Sequence, residues 1–324
     1  MLQGLTSYRR CVLGLALAGL SMAAGAQNFP AKPITVLDGF PPGFYDVLLR
    51  HLTPIMSQEL GQPVVVDYKT GAGGSLAVDA VTKAAADGYL LVLAEHSSAV
   101  YMHLLRKLPF DPYKDLAIVS SVIRAPFLLV GGPTLKVTTL RELIAEAKAN
   151  PGKISYGHSG NGTMHHLAME MFQKRAGINL LGVPFKGGAP SRTAVVAGTV
   201  DLSITGEDAT KALVAAGKVK ALGPTSESRM ISLPNLPTMG EILPGYTAYS
   251  AASVFAHAAT PRPIMARLNA ALLKALRDPE ASRKVAGMGV EPEPRSLEDS
   301  DRYWRKEGEI WAEVIRSANI RLDE

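Results

Sequence analysis

The sequence predicts an α/β protein whose sheets are doubly wound and mostly parallel. In its N-terminal half, short apolar runs alternate with helical segments in a βαβαβ order, the arrangement that packs helices on both faces of a sheet. The run Tyr89–Ala94 is apolar throughout, as expected of a parallel strand that helices cover on both sides. A second unit of the same kind starts at Pro126 without a long linker before it. The pattern therefore favours two lobes joined by short crossings.

The first unit contains three predicted strands: Ile34–Leu37, Val64–Tyr68 and Tyr89–Ala94. Two helices are predicted between them, Val47–Leu60 and Ser75–Ala86. The first ends at Gly61-Gln62-Pro63 and the second before Asp87-Gly88. Glycine and proline at these positions are typical of helix ends and turns.

The second unit continues the alternation. Its predicted strands are Pro126–Val130, Ile154–Tyr156, Leu180–Pro184, Val200–Ile204 and Val219–Leu222. Its predicted helices are Leu140–Ala149, Met164–Ala176, Ser191–Ala197 and Ala209–Ala216. Thr139 and Glu142 form the sequence pattern of a capping box at the start of the first of these helices.

The C-terminal quarter is predicted to return to the first lobe. After the irregular, Pro-rich segment Pro234–Pro244, an extended run and three helices are expected: Tyr249–Ala256, Pro263–Arg277, Pro279–Ala286 and Leu297–Ser317. We place the two crossings near Ile123–Phe127 and Tyr246–Ser250. The predicted first lobe is thus 27–124 plus 249–324, and the second lobe is 125–248.

Residues 1–26 have the pattern of a cleavable export signal. Arg9 and Arg10 precede the apolar stretch Val12–Met22, and Ala24-Gly25-Ala26 matches the A-x-A cleavage pattern. The stretch is too short to cross a bilayer comfortably, although an N-terminal membrane anchor stays open as the alternative. Cleavage would remove Cys11, the only cysteine, so the mature chain would have no disulfide. We therefore expect a periplasmic protein.

The composition is that of a globular protein, with 47% hydrophobic and 19% charged residues. The formal charge is +5, and removal of Arg9 and Arg10 would leave +3. No cluster of Lys and Arg interleaved with aromatic residues stands out, so no nucleic-acid partner is expected. The remaining positive charge weakly favours small anionic ligands.

The loop Phe40–Asp46 is the strongest indication of a binding site. Pro41 and Pro42 have no N–H group to donate, and Gly43 permits a positive φ and close approach to the backbone. The helix predicted after the loop points its free N–H groups and its positive dipole end at the loop. A carboxylate or phosphate can bind there without an arginine. Asp46, in the first helical turn, either complements the dipole or meets a donor group of a ligand.

Other loops with glycine and hydroxyl side chains follow successive strands. They are Gly71–Ser75, His96–Ser98, Gly157–Thr163 and Lys186–Ala189. Ligands of open α/β sheets bind at the carboxyl ends of strands, so we expect these loops to line a cleft between the lobes.

The sequence favours neither catalysis nor metal binding. Gly157–Asn161 departs from the G-x-S-x-G nucleophile motif, because Asn161 occupies the last glycine position. His165 and His166 are adjacent on a predicted helix and point about 100° apart, and no H-E-x-x-H pattern is present. Solvated or capping histidines are therefore the preferred interpretation. No catalytic residue, metal or cofactor is predicted, and Trp304 and Trp311 are assigned to packing.

A set of motifs then resembles the Bug family of periplasmic solute-binding proteins, the TctC-type receptors of tripartite tricarboxylate transporters. The motifs run in order along nearly the whole mature chain: Phe29–Ile34, Phe40–Gly43 with Asp46, Gly71–Gly74, Asp87–Tyr89, Leu108–Pro112, Asn150–Lys153, Ser155–Gly157, Val183–Pro190, Leu233–Thr238 and Pro244–Tyr246.

The resemblance implies a type II periplasmic-binding-protein fold, with two α/β lobes that close on a small carboxylate. It implies that backbone amides of the first loop and groups of the second lobe hold the ligand. The corresponding positions here are Pro42, Gly43, Phe44, Asp46, Ser159, Gly160, Thr163 and Thr205. It also implies a monomer that binds, closes and docks on integral-membrane permease subunits, or alternatively one that signals to a sensor kinase without a dedicated permease.

Four departures from the family pattern concern the ligand. Phe44 replaces the second glycine of the first loop, and Asp38-Gly39 replaces an apolar residue and proline. Ile204-Thr205 replaces Phe-Asp, and Ala251-Ala252-Ser253 replaces an aromatic-rich segment. We therefore expect a ligand other than the usual aliphatic diacid, with an aromatic or longer apolar part.

Overall fold

The computed structural model of this chain describes residues 29–230, 232–318 and 320. The predicted export signal, residues 1–26, lies outside the described residues. Within them, no helix is both long enough and apolar enough to cross a bilayer.

Ten strands and twelve α-helices alternate along the described chain. The strands are β1 (Ile34–Asp38), β2 (Val64–Tyr68), β3 (Leu90–Glu95), β4 (Leu116–Gly131), β5 (Ser155–His158), β6 (Leu181–Pro184), β7 (Leu202–Gly206), β8 (Lys220–Pro224), β9 (Tyr249–His257) and β10 (Glu291–Pro292). The helices are α1 (Phe44–Leu60), α2 (Ser75–Thr82), α3 (Met102–Leu105), α4 (Pro112–Asp115), α5 (Leu140–Ala149), α6 (Met164–Ala176), α7 (Gly188–Ala197), α8 (Glu207–Ala215), α9 (Met239–Ile242), α10 (Arg262–Arg277), α11 (Pro279–Ala286) and α12 (Leu297–Ser317).

The strands form the doubly wound α/β lobes that the sequence predicts. The order along the sheet is β2-β1-β3-β9-β4-β7-β5-β6, with β8 and β10 paired to β4. Each lobe has a parallel centre, β2-β1-β3 in the first and β6-β5-β7 in the second. The antiparallel strands β4 and β9 lie between these two centres.

Strand β4 connects the lobes. Its residues 116–126 pair with β9 of the first lobe, and its residues 127–131 pair with β7 and β8 of the second. The change of partner, between Pro126 and Phe127, falls inside the predicted crossing Ile123–Phe127. The sequence predicted only Pro126–Val130 as strand, so most of β4 was missed.

Two apolar cores lie on opposite faces of the first-lobe sheet. Val36 belongs to the core beneath α1 and α10, whereas its neighbour Leu37 belongs to the other core, as the alternation of strand side chains requires. The second core continues into lobe two and includes Trp304 and Trp311, which are 0% and 1% exposed. The prediction that both tryptophans pack is confirmed. Helix α12, which carries them, packs on β4 and on α6 of lobe two.

Several element ends differ from the sequence prediction. Helix α1 begins at Phe44, three residues before its predicted start, so Phe44 and Asp46 belong to its first turn. A five-residue π-helix, Ser97–Tyr101, follows β3 and leads into α3, in a segment for which only a loop was predicted. Helix α9 lies within the segment predicted to be irregular, and Thr238 and Glu241 form its capping box.

Candidate ligand-binding site

The order of the strands fixes where a crevice opens in lobe one. Strands β1 and β3 are neighbours in the order β2-β1-β3, and the chain leaves β1 towards β2. The loops after β1 and β3 therefore diverge, and a crevice at such a switch point is where open α/β sheets bind ligands. The first residues beyond the two strand ends are Gly39 and His96. The loop Phe40–Asp46 thus lies at the edge of this crevice.

The first loop presents its backbone to solvent. Pro41, Pro42, Gly43 and Phe44 are exposed, and α1 starts immediately after Gly43. The free N–H groups at the start of a helix need an external partner, and the helix dipole favours an anion there. The φ of Gly43 is 177°, which is extended backbone, so the left-handed conformation considered for Gly43 is absent. An added Cβ would lie 3.5 Å from the carbonyl oxygen of Pro41, an ordinary contact.

The glycine-rich loop Gly71–Ser75 packs directly on the residues at the start of the first loop, Phe40–Asp46. A Cβ on Gly39 would lie 2.7 Å from Cα of Gly74. Gly74 has φ +90°, and the ring of Phe40 would lie 3.4 Å from a Cβ there. Arg106 donates from Nη2 to the carbonyl oxygen of Ala72 at 2.9 Å, which ties this loop to the segment after β3. The two loops therefore form one layer over the crevice.

Asp46 is held by its own neighbours. Its Oδ1 accepts from the Tyr68 hydroxyl at 2.5 Å, and both carboxylate oxygens lie 2.9 Å from Nε of Arg50. The hydrogen bonds from Arg50, and then from Tyr68, lower the pKa of Asp46 below its usual value. Two roles were left open for Asp46: complementing the helix dipole, or meeting a donor group of a ligand. These contacts and its place in the first turn of α1 favour the first role.

A second set of side chains meets at the end of β3. The Tyr45 hydroxyl donates to Oε1 of Glu95, and Oε2 of the same carboxylate accepts from Ser97 at 2.8 Å. The ring of Tyr45 lies 5.3 Å from that of Phe40 and 5.2 Å from that of Phe44. One carboxylate and three aromatic rings thus lie between the ends of β1 and β3.

In lobe two, the loop after β5 is closed by its own hydroxyl groups. The Thr163 hydroxyl donates to the carbonyl oxygen of Gly160 at 2.7 Å, and the Ser159 hydroxyl donates to Oγ1 of Thr163 at 2.9 Å. Thr163 is the N-cap of α6, and its Oγ1 accepts from the N–H of His166. Gly160 has φ +123°, a conformation that favours glycine. The structure therefore brings Ser159, Gly160 and Thr163 together at the start of a helix.

His165 completes this loop, and its tautomer follows from the hydrogen bonds. Because the Ser159 proton goes to Thr163, Oγ of Ser159 accepts from Nδ1 of His165 at 2.8 Å. Nε2 of His165 is then an acceptor, and it lies 3.9 Å from the position of a Cβ on Gly188, the first residue of α7. His165 thus lies where the loops after β5 and β6 meet.

The three histidines of this loop are neutral at pH 7. Burial lowers the pKa of His165 and of His158 to about 4, and burial also lowers the pKa of His166. His158 and His166 stack with ring centroids 4.4 Å apart, so protonating both would place two positive charges in contact. Within the described ranges, no group of three His, Cys, Asp or Glu side chains is arranged to hold a metal ion.

These histidines predict a pH dependence of stability. A histidine whose pKa is 6.5 in the unfolded chain and about 4 in the folded one binds protons preferentially when unfolded. The stabilisation is complete above pH 6.5 and declines as the pH falls towards 4. We expect the free energy of unfolding, measured with urea, to drop between pH 6.5 and 5. The drop should be smaller in the double variant His158→Asn/His165→Asn. Its side-chain amide groups do not titrate and can still donate the hydrogen bonds that the two Nδ1 atoms make. Parallel pH profiles would contradict this assignment.

The remaining predicted residue, Thr205, lies on β7. It is 3% exposed and pairs with Leu128 of β4, so its side chain is nearly covered. Among the described residues, no hydrogen bond or ion pair joins 40–46 to 157–163. The predicted site residues therefore form two separate groups, one in each lobe, and their shared role in one ligand site remains a prediction.

Sequence reasoning missed Glu95, Tyr45 and His165. Glu95 carried a usable signal, because it is a charged residue that ends a continuous apolar strand at the predicted cleft. Tyr45 and Glu95 are 50 residues apart, and their contact depends on the pairing of β1 with β3. His165 carried no local signal that separates it from a solvated histidine.

Comparison with known proteins gives one consistent result. A family model described as tripartite tricarboxylate transporter family receptor matches residues 48–320. Protein BugT of Bordetella pertussis is 34% identical over 314 residues, which cover 95% of this chain and 96% of BugT. A solved structure of an R. palustris protein with adipate has a TM-score of 0.74 and 31% identity, covering 90% of this chain and 99% of that one. MatC from Rhodopseudomonas palustris with bound malate has a TM-score of 0.70 and 30% identity, covering 89% and 100%.

Proposed function

Because this chain belongs to the tripartite tricarboxylate transporter receptor family, we propose that it is a periplasmic receptor that binds a small carboxylate-bearing solute between two closing lobes. The single observation that carries the proposal is the exposed start of α1 at the crevice between β1 and β3. The free N–H groups there can bind a carboxylate without any cationic side chain. Two structural relatives were solved with dicarboxylates, adipate and malate, which is consistent with this ligand class.

Closure would be a hinge motion at the two crossings, with no covalent step. We assign 27–124 plus 249–324 to one lobe and 125–248 to the other. The change of partners within β4 supports this division. Arg124 lies beside it, with Nε 2.7 Å from Glu291 of the first lobe and Nη1 3.9 Å from Glu227 of the second. A motion of a few ångströms at Glu227 would therefore change an ion pair at the hinge.

We further propose that the closed, monomeric receptor, exported by the signal in residues 1–26, delivers its solute to integral-membrane permease subunits. A sensor domain is the alternative partner for the same closed form. Neighbouring genes would discriminate between the two, since one predicts adjacent permease genes and the other an adjacent histidine-kinase gene.

The first loop can be tested with Gly43→Val. An added Cβ would meet only the Pro41 carbonyl oxygen, at 3.5 Å, so there is room for a side chain. The branched side chain would, however, cover the free N–H groups at the start of α1. We expect the melting temperature without ligand to change little, and the stabilisation by carboxylates in a thermal-shift panel to be lost.

Val47→Thr provides a matched control, because Val47 is also exposed on α1 but lies beyond its first turn. This variant should keep the ligand response of the wild type. If Gly43→Val bound its best carboxylate with unchanged affinity, the first loop would be removed from the site.

A further inference from the structure

We propose that the solute carries an ammonium group in addition to its carboxylate, and that Glu95 and Asp38 receive this group at the crevice between β1 and β3. The inference deepens the proposed function and rests on it: the start of α1 binds the carboxylate, and the two acidic side chains beside it bind the positive charge. The ligand class is then a zwitterion, such as an amino acid or a betaine, in place of a diacid.

Glu95 has the position and the free capacity for this role. It is the last residue of β3 and is partly exposed. Its oxygens each accept one hydrogen bond, from Tyr45 and from Ser97, whereas a carboxylate offers about four acceptor sites. No Lys, Arg or His nitrogen of the described residues lies within 4.0 Å of it as an ion-pair partner. A cationic group entering the crevice would meet a carboxylate that the protein itself leaves without a counter-charge.

Asp38 is an independent observation that points to the same group. Its side chain is 0% exposed, and Oδ1 accepts from the N–H of Phe40 at 2.9 Å, which turns the carboxylate towards the first loop. Oδ2 has no hydrogen-bond partner among the described residues. Burial raises the pKa of Asp38, and the nearby charge of Asp46 adds to this effect. A buried carboxylate oxygen without a donor is unfavourable in the free protein. An ammonium group with N–H donors would relieve it by a hydrogen bond, and a quaternary ammonium would relieve it by its charge alone.

The aromatic residues provide the second half of an ammonium site. The rings of Phe40, Tyr45 and Phe44 follow one another at 5.3 and 5.2 Å, and Phe44 is 42% exposed. Ring faces attract cations, and quaternary ammonium groups are bound in clusters of this kind. From the sequence, Phe44 was interpreted as a contact for an apolar part of the ligand. Its ring packs on that of Tyr45, whose hydroxyl group donates to Glu95, and an apolar group bound here would leave that carboxylate desolvated without a counter-charge.

A diacid fits this crevice less well. With one carboxylate at the start of α1, the second would approach Glu95 or Asp38, and like charges in a partly buried crevice repel. Two arginines near the loops are already engaged: Arg50 pairs with Asp46, and Arg106 donates to the carbonyl oxygen of Ala72 and to Ser75. The charge arrangement therefore selects for a positive group beside the bound carboxylate.

Matched pairs of probes can test this by calorimetry and thermal shift. Glycine betaine and 3,3-dimethylbutanoate have the same shape and differ in the positive charge. 4-Aminobutanoate, butanoate and succinate share a four-carbon chain, and the twenty amino acids can be compared with their des-amino acids. We expect at least one ammonium-bearing probe to bind, at least tenfold more tightly than its partner that lacks the positive group.

The variant Glu95→Gln should lower the affinity for that probe at least tenfold and leave the affinity for the partner without the positive group unchanged or raised. Glu59→Gln, on the surface of α1 beside Lys274, removes the same charge away from the crevice and should have no effect. If Glu95→Gln fails to fold, Asp38→Asn serves as the second variant, with the same expectation.

The outcomes separate the two proposals. Binding of succinate or another diacid, with no ammonium-bearing probe bound, would overturn the zwitterion proposal and leave the carboxylate receptor intact. If Glu95→Gln lowered the affinity for probes with and without the ammonium group by the same factor, that would also overturn it. If no carboxylate of any kind bound, both proposals would be wrong.

Discussion

Replacing Gly39 with alanine is expected to destabilise the protein by about 1–3 kcal/mol, the usual cost of overpacking, and to weaken the binding of any ligand held by the first loop. The added Cβ would lie 2.7 Å from Cα of Gly74, 3.0 Å from its carbonyl oxygen and 3.3 Å from its carbonyl carbon. All three are backbone atoms, so the clash cannot be relieved by a side-chain rotation. The two loops would have to separate.

Separation would be transmitted to the site, because the first loop lies between Gly39 and α1. Gly74 is itself constrained, with φ +90° and the ring of Phe40 against it. A shift of the first loop by a few tenths of an ångström would move the free N–H groups of α1 relative to Glu95. Urea unfolding and calorimetry with the best ligand would measure the two effects separately.

Gly43→Ala is the matched control for Gly39→Ala. It adds the same methyl group within the first loop, four residues after Gly39, but its Cβ would meet only the Pro41 carbonyl oxygen, at 3.5 Å. We expect its stability to stay within about 0.5 kcal/mol of the wild type, as for most surface substitutions. Gly39→Ala protein as stable as this control would mean that the two loops do not pack as described.

An element of this structure could be predicted from the sequence when the residues that stabilise it are close to it in the chain. Helices α5, α6, α11 and α12 were predicted with their observed bounds, because their ends are specified locally. Thr139 and Glu142 form the predicted capping box of α5, and Gly177 ends α6 in a left-handed conformation. Such signals lie within a few residues of the helix they bound.

Strand β4 shows the opposite case. Ser120 and Ser121 interrupt its apolar run, and both are buried. Oγ of Ser120 donates to the carbonyl oxygen of Arg295 at 3.0 Å, and the N–H of Ser121 donates to Ser300 at 3.3 Å. These partners are more than 170 residues away, so no local pattern indicates that polar residues belong to a buried strand.

The candidate site divides in the same way. The exposed start of α1 was predictable, since proline, glycine and a helix start are adjacent in the sequence. The arrangement of Tyr45, Glu95 and Asp38 was not, because it requires β1 and β3 to be neighbours. The resemblance to a known family implied the ligand class. It implies nothing about what the side chains bind where this chain departs from the family, and Asp38 is one of those positions.

Thr225→Val is expected to lower the free energy of unfolding by about 2–4 kcal/mol, since a buried polar group that loses its partner costs roughly 1–3 kcal/mol. Thr225 is 0% exposed and directly follows β8. Its Oγ1 accepts from the N–H of Phe127 at 2.8 Å and donates to the carbonyl oxygen of Ala248 at 2.5 Å. Its backbone N–H and C=O bond the same two residues, at 2.9 and 3.1 Å. Valine keeps the shape and removes only the hydroxyl group.

The position of Thr225 makes the effect larger than the loss of two hydrogen bonds. Phe127 is the first residue of β4 that pairs with lobe two, and Ala248 immediately precedes β9. One side chain thus joins both crossings at the point where the proposed hinge lies. Without it, the lobes should reorient more freely, and the difference in radius of gyration between the free and ligand-bound protein, measured by X-ray scattering, should change. The ring of Phe127 also lies 4.8 Å from that of His165, so a shift at this crossing would reach the lobe-two loop.

Thr193→Val removes the same atom from an exposed threonine, whose hydroxyl donates to the carbonyl oxygen of Ala189 at 3.1 Å within α7. Its stability and its scattering profiles should match those of the wild type, because water can replace the lost partner. If the free energy of unfolding of Thr225→Val were the same as that of this control, the assignment of Thr225 to the hinge would be refuted. A destabilised Thr225→Val protein with unchanged closure would keep Thr225 as a structural link and place the hinge motion elsewhere in β4 and β9.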